Sequence, residues 1–181
     1  MEETKGSQGE WGKAFEWAIK GAPLEQVWLV TSDFVGVDKW MTSLVQSCEL
    51  VEGERNTPDC VRRPVLYPSA AGEPFTYALE KLLETDASHH RYSYTILEGT
   101  LPGFSVMENY VSTFKLSPLH HHDEEAGTLL QWSFVCHPVA ALTEKQAQHI
   151  AFSLYQTAIA DLKTRLCLPD DAATLLSSSP S

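Results

Sequence analysis

HHRYSYTILEGTLPGFSVMENYVSTFKLSPLHHHDEEAGTLLQWSFVCHP, residues 89–138, is the stretch that decides the fold. It contains three runs in which apolar and polar residues alternate: RYSYTILEG (91–99), FSVMENYVSTFKLS (104–117) and TLLQWSFVCHP (128–138). Period-two alternation marks a strand with one buried face. The breaks TLPG (100–103) and HHHDEEAG (120–127) carry turn residues and are too short for a helical crossover. Strands joined in this way form an antiparallel meander.

The pattern extends upstream through CELVEG (48–53), CVRRPVLYP (60–68) and PFTYALEKLLET (74–85), separated by GERNTPD and SAAGE. EWGKAFEWAIK (10–20) reads as a first strand, with Trp11, Phe15, Trp17 and Ile19 on one parity, interrupted by Lys13. Between it and Ser47 stand two short helical stretches. APLE (22–25) places Pro just inside a helix start, and VDKWMTSLV (37–45) follows a break near Phe34-Val35-Gly36. Downstream, Thr143 to about Cys167 is a long amphipathic helix. Thr143 and Gln146 have capping-box spacing, and Ala147, Ile150, Ala151, Leu154, Ala158 and Leu162 form one stripe. The tail LPDDAATLLSSSPS (168–181) is small and polar and reads as disordered.

The order is strand, two short helices, six strands, long helix. This predicts the α+β class and a helix-grip fold: a curved seven-stranded antiparallel sheet wrapped on the C-terminal helix, enclosing a cavity. One domain over 10–167 is expected, with a flexible N-terminus at 1–9 and a disordered tail at 168–181. Such cavities take small ligands of apolar or mixed polarity.

Composition narrows the partners. The 181 residues are 43% apolar, 20% charged and 10% aromatic, as in an ordinary globular domain. A net charge of −11 with no basic stripe argues against nucleic acid and against anionic membrane surfaces. No apolar run reaches the roughly 20 residues that span a bilayer, and the acidic start MEETKGSQGE does not read as a signal peptide. A cytoplasmic protein that does not insert into membranes is expected. Cys48, Cys60, Cys136 and Cys167 lack CxxC spacing and read as free thiols. His120-His121-His122 are consecutive in a turn and cannot easily converge on one ion, so no metal and no cofactor is expected.

Three polar residues stand inside apolar runs: Arg62, Glu80 and Tyr110. A charge there costs several kcal/mol, roughly, unless it is paired or faces a wet cavity. Together they could bind an oxyanion and move a proton. Arg62 and Arg63 are adjacent, so in a strand they point to opposite faces. Glu80 shares the parity of Ala78 and Leu82. It is either a general base or half of a structural ion pair, and Tyr110 is either a site residue or a core tyrosine.

CELVEGERN…CVR (48–62), ALEKL (78–82), RYSY (91–94), NYVST (109–113) and WSFVC (132–136) occur in an order that resembles the plant lachrymatory factor synthase-like proteins of the START-like, polyketide cyclase-like superfamily. The likeness covers about residues 10–166. It implies the helix-grip fold and a catalytic Arg and Glu that fall on Arg62 and Glu80. It also implies a nearby Tyr at Tyr110 and a lining aromatic at Trp132. Phe75, Tyr92 and Tyr94 are the further expected substrate-binding residues. The implied activity is a cofactor-independent proton-transfer isomerisation or lysis of a sulfenic acid or similar small polarised substrate. The alternative is carriage of a small plant lipophile or hormone-like metabolite. The loop RPVLYPSAAGEPFTYAL between Arg62 and Glu80 holds three prolines and departs from the family pattern. It lacks the SGLPA gate of hormone receptors, which argues against abscisic-acid sensing.

Overall fold

β1 (Trp11–Lys20) leads into helix α1 (Leu24–Thr31) and a 3₁₀ segment (Phe34–Lys39). Six strands follow: β2 (Val45–Glu52), β3 (Val61–Leu66), β4 (Thr76–Asp86), β5 (Arg91–Gly99), β6 (Glu108–Pro118) and β7 (Gly127–His137). Helix α2 (Glu144–Arg165) and β8 (Ala173–Ser179) complete the chain. This computed structural model describes residues 9–119 and 127–179. The expected flexible N-terminus, Gly9 apart, and the His120-His121-His122 turn lie outside the described residues.

The strands form one antiparallel sheet in the order β2-β3-β4-β5-β6-β7-β1-β8. The α+β helix-grip expectation stands, with eight strands in place of seven. On the inner face, Tyr92, Phe114, Trp132 and Phe15 are successive cross-strand partners, and all four are buried. α2 lies across this row. Three of its four alanines, Ala147, Ala151 and Ala158, are fully buried and let the helix sit close to the sheet, while Tyr155 and Leu162 fill the remaining space. Tyr155 stacks on Trp132 with ring centroids 4.2 Å apart, worth about 0.5–1.5 kcal/mol beyond the area buried. The capping box is present: Thr143 accepts from Gln146 N, and the Gln146 side chain accepts from Thr143 N.

Two expectations are corrected. The second short helix, read over 37–45, is instead the 3₁₀ segment, which starts at Phe34, and Val45 already belongs to β2. The Asp33 side chain accepts from Gly36 N and so fixes the start three residues early. Met41 O then accepts from both Leu44 N and Val45 N, closing the turn that feeds β2. The tail read as disordered over 168–181 holds a further 3₁₀ turn (Asp170–Ala172) and β8, which pairs with β1 over Ala14–Ile19. An edge strand offers unpaired N–H and C=O groups to any extended segment. β8 therefore needs no large side chains to dock, and Ser177 Oγ adds a bond to Glu16 Oε2 at 2.7 Å.

Ending the chain at Ala172 should uncover the β1 edge. We expect a lower melting temperature and concentration-dependent self-association by size-exclusion chromatography. Unchanged melting and a single elution position would show that β8 contributes nothing to the fold.

Candidate functional site

From Arg62 onward β3 alternates. Val61, Arg62, Pro64 and Leu66 are buried, while Arg63 faces outward over the Tyr77 ring, its Nη1 3.5 Å from Glu49. Arg62 and Glu80 are direct cross-strand partners on β3 and β4, so their side chains emerge side by side on the inner face. Only 4% of Arg62 and 8% of Glu80 remain exposed. Arg62 Nε donates to Glu80 Oε2 at 2.6 Å, and Nη2 lies 2.6 Å from the same oxygen. Nη1 donates to Phe34 O. The guanidinium carbon also sits 3.8 Å from the centre of the Phe34 ring and 5.3 Å from that of Tyr94. Burial is the largest effect and works against the Arg62 charge, but the Glu80 carboxylate together with smaller contributions from Cys48, Tyr94 and Tyr92 outweighs it and holds Arg62 above its ordinary value.

Glu80 Oε1 accepts no hydrogen bond among the described residues. Glu80 borders a small inner cavity of about 30 Å³ with Arg62, Tyr94, Trp132, Met41 and Leu154 among its walls. That is room for about one water molecule. A wider cleft of about 440 Å³ lies outside it, bordered by Tyr67, Thr76, Phe104, His149 and Ser153 among others. Leu44, Leu66, Leu101 and Leu154 border both spaces and form the partition between them.

Of the residues singled out in the sequence, the structure brings Arg62, Glu80, Tyr94 and Trp132 to this cavity. Tyr110 is not among its lining residues. It is buried, but its hydroxyl bonds to Tyr155 OH at 2.6 Å and its ring stacks on Phe134. Tyr110 keeps the inner-face parity of Ser112 and Phe114, just beyond a register shift between Glu108 and Val111, and there it meets Tyr155 of α2 and the Phe104 ring. Tyr94 is thus the phenol facing the ion pair. Tyr92 lies behind it, stacked on Phe114 and edge-on to Phe34. Phe75 is half exposed just before β4 and packs on Tyr67, and it does not line the inner cavity. Burial pushes the Tyr92, Tyr94 and Tyr110 hydroxyls up, so these phenols stay protonated and can donate.

The sequence reading missed Tyr155 and Ser112. Ser112 Oγ lies 3.1 Å from Tyr155 OH and accepts from Trp132 Nε1 at 2.9 Å. With Tyr110 they form a buried hydroxyl network from β6 and β7 to α2. The signal was available for Ser112, a polar residue on the parity of Tyr110 and Phe114. Tyr155 sits beside the apolar stripe and gave none. Cys48 and Cys136 are inert thiols, pushed up by burial to about 12 and about 11. Among the described residues no three His, Cys, Asp or Glu side chains converge as a metal site would require.

With this geometry in hand, the family is clear. Residues 16–166 match the model of the polyketide cyclase/dehydrase and lipid transport family, and the chain belongs to it. Among solved structures, a protein from Nitrosospira multiformis is 27% identical, with a TM-score of 0.63 over 83% of this chain and 94% of that one. Ginseng major latex-like protein 151 from Panax ginseng is 15% identical, with a TM-score of 0.65 over 86% and 96%. XoxI from Bacillus cereus is 21% identical, with a TM-score of 0.64 over 87% and 94%. The last two likenesses concern the fold alone. No helix among the described residues is long and apolar enough to cross a membrane.

The pair makes a stability prediction. Arg62→Met leaves a buried carboxylate without its partner and should cost about 3–5 kcal/mol. The double variant Arg62→Met/Glu80→Leu removes both charges and should recover most of that loss. Urea unfolding midpoints check this, and a double variant no more stable than Arg62→Met would contradict it.

Proposed function

We propose that this chain is a cofactor-independent proton-transfer catalyst resembling lachrymatory factor synthase, an isomerase or lyase for a sulfenic acid or similar small polarised substrate. One observation carries the reading. The Arg62 contacts fall on a single Glu80 oxygen, Oε2, so that among the described residues Oε1 carries no hydrogen bond, in a side chain that borders the cavity. A carboxylate kept only for an ion pair has no need of an unbonded oxygen beside a cavity.

The roles follow from donor and acceptor chemistry. The N–H groups of Nη1 and Nη2 not taken by Phe34 or Glu80 can hold a substrate oxygen as it gains negative charge. Tyr94, kept protonated by burial, can donate a further hydrogen bond from the cavity wall. Glu80 Oε1 takes the proton from the substrate's O–H and returns it to carbon. The O–H bond breaks, a C–H bond forms, and the double bond shifts toward the heteroatom, so nothing is oxidised or reduced. For an alkenyl sulfenic acid this isomerisation gives a thial S-oxide. Tyr110, first expected in this role, supports the site through Tyr155 instead.

The inner cavity admits only the polar head as it stands, so a substrate tail must lie in the outer cleft and pass the four leucines. That cleft, together with the lipid-transport element of the family description, favours a second reading: a carrier that anchors a lipophile by its head on Arg62.

Glu80→Gln separates the two. It keeps the shape and removes the base, so turnover of a sulfenic acid generated in situ should fall about 10²–10⁴-fold while affinity for that uncharged substrate changes little. Wild-type turnover by Glu80→Gln would remove Glu80 from the chemistry, and no turnover by the wild type would replace the catalyst with the carrier.

A further inference from the structure

Among the described residues Arg62 has one partner outside the sheet, Phe34, through its backbone carbonyl and ring. What holds Phe34 is a cluster with no part in the chemistry described above. The Asp33 carboxylate accepts from Gly36 N at 3.2 Å, Asn56 Nδ2 at 3.0 Å, Lys39 Nζ at 3.0 Å and Arg55 Nη2 at 2.7–2.8 Å. Asn56 Oδ1 accepts in turn from Val35 N at 3.1 Å. The residues on both sides of Phe34 are therefore tied to the β2–β3 loop, the loop from which Arg62 emerges two residues later.

We propose that Asp33 and Asn56 form a clasp that positions Arg62 for its ligand, acting through Phe34. Neither residue touches the cavity, so both are positioning residues. Local sequence supports a purpose-built clasp. Asn56 sits at φ 60°, a left-handed conformation that asparagine tolerates better than most residues. Gly36 has φ −93°, which any residue can adopt, yet a Cβ there would run into the Asp33 carboxylate. Glycine is thus required for space, not for backbone freedom. Burial works against the Asp33 charge, but the bonds from Arg55, Asn56 and Lys39 outweigh it and hold the carboxyl at about 2. The clasp is accordingly intact at any ordinary pH.

The exposed members contribute least. Arg55 and Lys39 are 45% and 65% exposed, and ion pairs of that kind are worth about 0–1 kcal/mol. Positioning falls to the bonds from Gly36 N and Asn56. The inference rests on the reading of Arg62 as the ligand anchor, and its test reads Arg62 geometry independently of turnover.

The test is solvent exchange of the Arg62 Nε–H proton by ¹H–¹⁵N NMR, the signal being assigned by its loss in Arg62→Lys. Gly36→Ala expels the Asp33 carboxylate without strain at its own φ, and Asn56→Gly removes both amide bonds while keeping the positive φ. Each should accelerate exchange on the order of tenfold or more, with strand amide signals from β5 to β7 unmoved. Arg55→Gln should leave the exchange rate as in the wild type. Wild-type protection of Arg62 in Asn56→Gly would overturn the proposal, and that variant decides the matter alone should Gly36→Ala fail to fold. Loss of the catalytic reading in the Glu80→Gln assay would leave this result standing.

Discussion

Two opposite charges sit inside the sheet where water cannot reach them freely, and the surrounding structure is organised to make that tolerable. Removing an ion from water costs several kcal/mol or more even after relaxation, which a lone partner seldom offsets. Arg62 meets this cost with three contacts: Glu80 Oε2 in its plane, Phe34 O at its edge and the Phe34 ring against its face. Each contact fixes something else. The first requires the β3–β4 register, because a slip of one residue would turn either side chain to solvent. The second and third require the 3₁₀ segment to pass directly over the pair, which helix α1 and the turn into β2 arrange.

The same reasoning explains why the interior carries hydroxyls in an otherwise aromatic core. Tyr110, Tyr155, Ser112 and Trp132 satisfy one another in a single network spanning β6, β7 and α2. A buried hydroxyl without a partner costs on the order of 1–3 kcal/mol, so the network is stable only when α2 is docked in one position. Rigid walls follow on that side of the cavity. The partition formed by Leu44, Leu66, Leu101 and Leu154 is different: three of the four are only half buried and make no directional bonds. Rotamer changes there are the cheapest way to join the cleft to the inner cavity.

Much of this was legible in the sequence because it depends on period and parity. The meander from β2 to β7, the opposite faces of Arg62 and Arg63, Glu80 on the face of Ala78 and Leu82, and the Thr143–Gln146 box all follow from spacing. That Arg62 is the inward one of the two came from the family resemblance. Failures occur where non-local pairing or a local irregularity decides. Parity put Tyr110 on the inner face, where it is, but parity does not say what it meets there: its hydroxyl bonds to Tyr155 of α2 and not to the ion pair. Phe75 fails because it precedes β4, where alternation has not begun. The second helix failed because a side chain–backbone bond from Asp33 overrides the apolar spacing of VDKWMTSLV. The tail failed because β8 owes its order to the open β1 edge, which composition cannot reveal.

The central claim is that the ion pair faces a ligand and is not kept merely to join β3 to β4. Calorimetric titration with a short alkanesulfinate, a stable oxyanion with an apolar tail, tests it most directly. The account predicts that the sulfinate binds the wild type, binds Glu80→Gln more tightly because the opposing carboxylate charge is gone, and fails to bind Arg62→Met/Glu80→Leu. Equal binding by all three proteins would place the ligand away from Arg62 and contradict the account.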